Sequence, residues 1–170
     1  METNHIPKCD LSKGELGCGC TKFDPAEWDG LELHFRDKLF VRAKTLSFFY
    51  MPLNMGSVFK RTFDAIKKAG VDEDEFVILS DDSSKWRGEH YFNVKHEVPG
   101  ADNVRLTGDY LTHVFEGPGR DAPKWVAEME KLVTGRAKRM TRLFFYYTTC
   151  PKCAKRTGKN YVVGIAQIGT

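Results

Sequence analysis

Four cysteines form two short pairs near opposite ends of the 170-residue chain. One pair is Cys18 and Cys20, and the other is Cys150 and Cys153 in a Cys-Pro-Lys-Cys sequence. Two thiolates this close in sequence bind one soft cation together, and two such pairs complete the tetrahedral set that structural zinc prefers. We therefore predict a structural zinc clasp, since four thiolates leave no position for a catalytic water.

Other chemistry of the same thiols stays open at the sequence level. Redox dithiols, disulfides and an iron-sulfur cluster use similar spacings. Disulfides would require an oxidising compartment, yet residues 1–30 contain no apolar signal-peptide core. Cys9 makes the count odd, so it is either a spare thiol or a substitute ligand.

A carboxylate is the candidate for catalysis. Alternation along the strand predicted from Val104 places Glu116 on the same face as Tyr110. A carboxylate at the end of an apolar strand could act as a general base or hold a cation beside aromatic rings. A solvated strand-end Glu116 is the alternative. The five histidines show no zinc-enzyme spacing, and no nucleophile motif or phosphate loop is present.

Aromatic residues in both halves of the chain are candidates for ligand binding. Trp86, Glu89 and Tyr91 are close in sequence, so a flat ligand could stack on the Trp and pair its charge with the Glu. An exposed Trp at a hairpin tip explains the same pattern. Tyr147 ends an aromatic run in which alternate side chains could fill the core or line a cleft.

Basic residues suggest a second class of partner. Arg136, Lys138, Arg139 and Arg142 are clustered, and more Lys and Arg surround the second cysteine pair. A basic zinc knuckle could bind nucleic acid. A net charge of only +3 argues against this function. Because no stretch reaches transmembrane length, we expect a soluble, cytoplasmic protein without a membrane partner.

The order of predicted elements repeats. The first half predicts strands at 31–35 and 40–50, separated by a turn at 36–37, then a helix at 56–69 and strands at 76–80 and 89–98. The second half predicts a strand at 104–116, a helix capped by Asp121 and ended by Gly135, and strands at 142–149 and 161–168. Corresponding Pro and Gly residues are offset by about 65 positions. A duplicated unit is therefore expected.

This tandem order, with the turn Phe115-Glu116-Gly117-Pro118 before the second helix, resembles the gyrase-inhibitor-like (GyrI-like) fold. The segment 148–163, which contains Cys-Pro-Lys-Cys-Ala, also resembles uncharacterised prokaryotic proteins labelled hydrolase. The resemblance implies two units around a cleft that binds cationic or aromatic small molecules. It also implies, in some members, a carboxylate that directs water onto reactive cyclopropane compounds.

The sequence thus predicts an α+β protein. Residues 1–30 form an arm, and residues 31–170 form a GyrI-like domain with units at about 40–98 and 103–168. We expect binding of a small molecule in the cleft between the units, with hydrolysis as the alternative. The oligomeric state stays open.

Overall fold

The computed structural model describes residues 2–7, 23–70, 76–148, 155 and 158–170. The helices are α1 (Pro25–Trp28), α2 (Met55–Lys68) and α3 (Ala122–Gly135). The strands are β1 (Glu32–Phe48), β2 (Met51–Pro52), β3 (Ile78–Asp81), β4 (Arg87–Asn93), β5 (Asn103–Glu116), β6 (Arg139–Tyr147) and β7 (Tyr161–Gly169). Apart from α1 and β2, the order is strand, helix, strand, strand, twice. The α+β class is confirmed.

The two long helices form where apolar residues recur at helical spacing. Val58, Thr62 and Ile66 are the buried residues of α2, and Gly70 follows that helix with a positive φ of 76°. In α3 the buried residues are Trp125, Met129 and Val133, spaced four apart. The expected side-chain cap at Asp121 is absent, because a 3-10 turn over Gly119–Asp121 holds that residue in a helical backbone conformation.

One antiparallel sheet closes on itself through its longest strand. The strand order is β2-β1-β4-β3-β6-β7-β5, and β1 also pairs with β5. The first part of β1 pairs with β5 over 32–41, and its later part pairs with β4 over 40–46. The sheet is therefore barrel-like, with an inner face and an outer face.

β1 differs from its sequence-based prediction. We expected two strands separated by a turn at 36–37, but the strand continues with a bulge between Phe35 and Lys38. Asp37 has a φ of 52°, so one residue absorbs the irregularity without ending the strand. The chain turns instead at Phe49 and Tyr50, which were predicted to lie within a strand.

Three apolar clusters divide the two faces of the sheet. The inner apolar cluster contains Phe40, Tyr110 and Phe144, and both Ile6 of the arm and Trp28 of α1 pack into it. On the outer face, one cluster lies under α2 and another lies under α3. None of the described helices is long and apolar enough to cross a membrane.

Candidate functional site

Four polar side chains from three strands meet on the inner face. They are Asp81 of β3, Glu89 and Tyr91 of β4, and Arg142 of β6. We call them the inner cluster. Arg142 Nε donates to Asp81 Oδ2 at 2.9 Å, and its Nη2 donates to the Tyr91 hydroxyl at 2.8 Å. That hydroxyl donates to Glu89 Oε2 at 2.7 Å, so the phenol links the cation to the second carboxylate.

Strand register brings these residues together. Asp81 is paired with Glu89 across β3 and β4, and β3 meets β6 where Ser80 is paired with Phe145. Because successive side chains point to opposite faces, Asp81 and Glu89 face inward beside Tyr91 and Arg142. Two hairpins that are distant in sequence are therefore both needed to build the inner cluster.

Aromatic rings fix the guanidinium of Arg142. Its central carbon lies 4.5 Å from the Phe144 ring centroid and 5.1 Å from that of Tyr91. Burial lowers the pKa of Arg142, but hydrogen bonds to Tyr91 and Asp81 outweigh it and leave that pKa raised. Burial and the bond to Glu89 raise the pKa of the Tyr91 phenol. At neutral pH the inner cluster therefore contains a fixed cation and a protonated phenol.

The carboxylate of Glu89 is the accessible end of the inner cluster. Its side chain is 34% exposed, whereas that of Asp81 is 15% exposed. Water can therefore reach Glu89, while Arg142 and Tyr91 are held beside it. This arrangement suits proton transfer from water next to hydrogen-bond donors that could stabilise a developing anion.

A second polar group lies on the outer face of the same strands. Ser80 Oγ is 2.8 Å from His90 Nδ1, and Thr45 Oγ1 is 3.0 Å from His90 Nε2. We call these three residues the outer cluster. His90 is fully buried, with the Phe59 ring 4.9 Å from its own. Burial lowers the pKa of His90 to about 4, against an opposing effect of Asp81, so the imidazole is neutral at pH 7.

The residues predicted from the sequence occupy separate places. Glu89 and Tyr91 belong to the inner cluster, and Tyr110 is buried near it, with its ring 6.2 Å from that of Phe144. Burial raises the pKa of Tyr110 to about 12. Trp86 is 53% exposed.

Two other predicted residues lie outside the inner cluster. Glu116 is exposed at the end of β5, where it is paired with Tyr161. Tyr147 is 43% exposed, and its hydroxyl lies 3.4 Å from Asp82 Oδ2. Among the residues that the structure describes, neither of these side chains is hydrogen-bonded to Glu89.

Sequence reasoning missed two members of the inner cluster. Asp81 lies just beyond the strand predicted at 76–80, and Arg142 is among the basic residues considered above for nucleic-acid binding. A signal was present in β6, because Arg142 alternates with the aromatic residues Phe144 and Tyr146 on one face. Since Arg142 is bonded to Asp81, and Arg136 lies 3.3 Å from Glu32, two of the basic residues already have acidic partners.

The predicted zinc ligands lie outside the described residues. This applies to Cys18, Cys20, Cys150 and Cys153, and also to Cys9. Within the part of the chain that the structure describes, no group of three His, Cys, Asp or Glu residues could hold a metal ion. The zinc clasp therefore stays a prediction.

A family model described as "Bacterial hydrolase" matches residues 9–168, which is nearly the whole chain. The chain belongs to this bacterial hydrolase family. None of the curated proteins compared with this family member matches it.

Solved structures resemble this bacterial hydrolase family member in fold. An uncharacterized conserved protein from Listeria innocua has 11% identity and a TM-score of 0.61, covering 83% of this chain and 92% of its own. A hydrolase from Listeria innocua has 9% identity and a TM-score of 0.63, covering 84% and 92%. SAV2435 bound to tetraphenylphosphonium has 12% identity and a TM-score of 0.47, covering 83% and 94%. At identities this low, the two structures from Listeria innocua show likeness of fold alone.

Proposed function

We propose that this protein binds a small organic compound at the mouth of the inner cluster and hydrolyses it, with Glu89 as the general base. The observation that carries the proposal is the bonded set of Glu89, Tyr91 and Arg142, in which the reachable carboxylate is adjacent to two fixed donors. Membership of a hydrolase family supports this class of reaction.

The proposed reaction needs only water as co-reactant. Glu89 accepts a proton from a water molecule, whose oxygen then forms a bond to an electrophilic carbon of the substrate. The bond from that carbon to the leaving group breaks, and protonated Glu89 returns the proton to that group. Arg142 donates hydrogen bonds to the negative charge that develops, while the Tyr91 hydroxyl keeps its hydrogen bond to Glu89 and orients that carboxylate. Each of these roles is assigned to a residue of the inner cluster.

We infer that the fold contains two GyrI-like units, at about 40–98 and 103–168. They meet where β3 pairs with β6, and the part of β1 that leads into the first unit pairs with β5. The inner cluster then lies at their junction, because Asp81 and Glu89 come from the first unit and Arg142 comes from the second. The aromatic rings of Phe144 and Tyr91 would favour a compound with a flat apolar part.

Hydrolysis of small electrophiles tests this proposal. The purified protein is assayed against activated esters, epoxides and activated cyclopropanes, with ligand binding measured in parallel by calorimetry. For a compound that is turned over, we expect Glu89→Gln to lower kcat at least about 100-fold while binding is retained.

Glu116→Gln is the matched control and also tests the residue predicted from the sequence. Loss of turnover in that variant, with Glu89→Gln unaffected, would assign the base to Glu116 instead. Binding of a compound by the wild type without any turnover would leave a ligand-binding protein and reject the hydrolase.

We also propose the zinc clasp as a structural element. The Phe23 ring lies 5.6 Å from that of Tyr161 and 6.5 Å from that of Tyr146. Cys20 precedes Phe23 by three residues, and Cys150 follows Tyr146 by four, so the nearer cysteine of each pair is within about 15 Å of chain length from this contact. The described residues that flank the two cysteine pairs are therefore close enough for the pairs to share one metal ion.

Elemental analysis of protein purified without chelator tests the clasp. We expect about one zinc per chain, and its loss in Cys150→Ser with Cys153→Ser. Cys9→Ser is the control that should retain the metal. A folded, metal-free wild-type protein with four titratable thiols would reject the clasp.

A further inference from the structure

An exposed apolar surface lies where the β1–β2 hairpin meets the loop before β4. We call it the hairpin tip. Its members are Leu46, Phe48, Phe49, Tyr50, Met51, Leu53 and Trp86. Each is between 53% and 70% exposed, and every large apolar side chain that is more than half exposed in the described chain belongs to this tip. Such a concentration of exposed apolar surface marks an interaction site.

Backbone geometry holds the hairpin tip in place. Phe48 is paired with Met51, so Phe49 and Tyr50 form a two-residue turn, with φ values of 46° and 67°. That turn strongly favours Asn-Gly, because both positions need positive φ. The amides of Ser47 and Tyr50 also donate to the carbonyl oxygens of Trp86 and Lys85 at 2.8 and 3.1 Å. Two aromatic residues thus occupy a disfavoured conformation that presents them to solvent.

Contacts among the aromatic rings order the hairpin tip. The Trp86 ring centroid lies 5.9 Å from that of Phe48 and 5.3 Å from that of Phe49, and the rings of Phe48 and Phe49 are 4.9 Å apart. The three rings therefore pack on one another without being buried. This cluster is a preformed surface, so little side-chain entropy would be lost when it docks.

The two segments that form the hairpin tip carry charge of one sign, and the neighbouring Glu89 is paired with Lys44 across β1 and β4. Residues 44–54 and 83–88 include the exposed cations Lys44, Lys85 and Arg87, and they contain no Asp or Glu. Lys85 Nζ lies 5.9 Å from the Phe49 ring centroid, so a cation lies directly beside the aromatic cluster. A second copy of the same tip would bring like charges together, which disfavours self-association through this surface. An anionic partner is complementary to it.

We propose that the hairpin tip docks on an anionic lipid bilayer, with its rings in the headgroup region and its cations against the phosphates. Trp and Tyr favour that interface, and apolar tips combined with Lys and Arg bind anionic membranes peripherally. The sequence-based expectation of no membrane partner considered only spanning segments. It also treated residues 45–50 as a strand, which concealed the exposed turn. The inference does not depend on the hydrolase proposal.

Vesicle binding tests this docking site. The full chain is mixed with vesicles of phosphatidylglycerol and phosphatidylcholine, or of phosphatidylcholine alone, and is followed by co-sedimentation and tryptophan emission. Trp28 and Trp125 are each 5% exposed, so Trp86 reports on the tip. We expect binding and a blue shift with the anionic vesicles, both weakened by salt.

Variants separate docking from folding. Phe49→Asn with Tyr50→Gly should raise the urea midpoint, because the turn then suits its residues, and should weaken vesicle binding at least tenfold. Lys85→Glu should weaken binding by at least about fivefold, since each interfacial cation contributes about a factor of five. Val126→Ser with Leu132→Ser removes exposed apolar side chains from α3 instead and should leave binding unchanged.

Three outcomes would overturn the proposal. They are no binding to anionic vesicles at low salt, unchanged binding in the Phe49→Asn, Tyr50→Gly variant, and a blue shift that grows with protein concentration in the absence of vesicles. The last result would assign the hairpin tip to contact between copies of this chain.

Discussion

The inner and outer clusters are built from neighbouring residues of the same strands but have opposite character. On β3, Asp81 faces inward and Ser80 faces outward; on β4, Tyr91 faces inward and His90 faces outward. The inner cluster is charged and open at Glu89, which is 34% exposed. The outer cluster is neutral, and each of its three side chains is at most 4% exposed.

This difference separates a group that can react from a group that stabilises. Both clusters satisfy their polar atoms, as buried polar groups must. Only the inner cluster combines an accessible carboxylate with fixed donors. In the outer cluster, His90 has its two ring nitrogens near Ser80 and Thr45 and cannot be reached by a substrate. Strand alternation therefore places the accessible carboxylate on one face and the fully buried polar group on the other.

Acidification should cause the largest change in the free energy of unfolding, and it acts through the outer cluster. Because the pKa of His90 is lowered to about 4 from 6.5, the unfolded chain binds its proton first as the pH falls. The resulting stability is fully present above pH 6.5 and is lost as the pH falls towards 4. The loss is about 3 kcal/mol. Urea unfolding at several pH values measures it.

His90→Gln should remove most of this acid-dependent loss, and His113→Gln is the matched control. His113 is 27% exposed, with its Nδ1 2.7 Å from Asp29 Oδ1, so it differs from His90 both in burial and in having a carboxylate partner. If the free energy of unfolding of His90→Gln falls with acidification as steeply as that of the wild type, the outer cluster is not the source of the loss. His90→Asn serves as a second variant if His90→Gln does not fold.

Arg142→Met should have the next largest effect and acts on the inner cluster. It removes the cation between Asp81 and Glu89 and leaves Asp81, which is 15% exposed, without its partner. We expect the free energy of unfolding to fall by about 2 kcal/mol. Chemical denaturation at pH 7 measures it. Combining this change with Asp81→Asn should recover part of the loss, and strictly additive losses would contradict the pairing.

Tyr91→Phe should have a smaller effect in the same cluster. The ring keeps its contacts with Phe40 and Phe144, while the hydroxyl that links Glu89 to Arg142 is lost. We expect a loss of about 1 kcal/mol in stability. Ser80→Ala is the matched hydroxyl deletion in the outer cluster. It should cost at least as much, because it removes a partner of fully buried His90. The reverse order would contradict the difference in burial between the partners of these two hydroxyls, Glu89 and His90.

Tyr147→Phe should have the smallest effect, since Tyr147 is 43% exposed. Stability should change by less than about 0.5 kcal/mol. Burial and then the charge of Asp81 raise the pKa of Asp82, whereas the Tyr147 hydroxyl lowers it, so this variant should raise that pKa further. Carboxyl NMR titration measures the change. A fall in the pKa of Asp82 would contradict the hydrogen bond.

Local patterns in the sequence predicted much of the fold. Four-residue spacing indicated α2 and α3, and aromatic, β-branched runs indicated most strands. The bulge at Asp37 was missed because a positive φ at one residue is compatible with either a turn or a continuing strand. The turn at Phe49 and Tyr50 was missed because neither residue is typical of turns.

The inner cluster was only half predictable, for a physical reason. Glu89 and Tyr91 are near each other in the sequence and were identified. Asp81 joins them through the pairing of β3 with β4, whereas Arg142 joins them only through the contact between β3 and β6, where Ser80 is paired with Phe145. Register between strands 60 residues apart depends on how the sheet closes, which local periodicity does not encode.

Ile6 of the arm is fully buried in the inner apolar cluster, and Asn4 joins the arm to the bulge of β1. The Arg36 amide donates to Asn4 Oδ1 at 2.8 Å, while the Asn4 side-chain amide donates to the Arg36 carbonyl at the same distance. Isotope exchange at the Arg36 amide therefore reports how often the arm detaches. Each detachment would uncover the apolar surface around Phe35 and Tyr110, giving the closed sheet a transient opening at its interior.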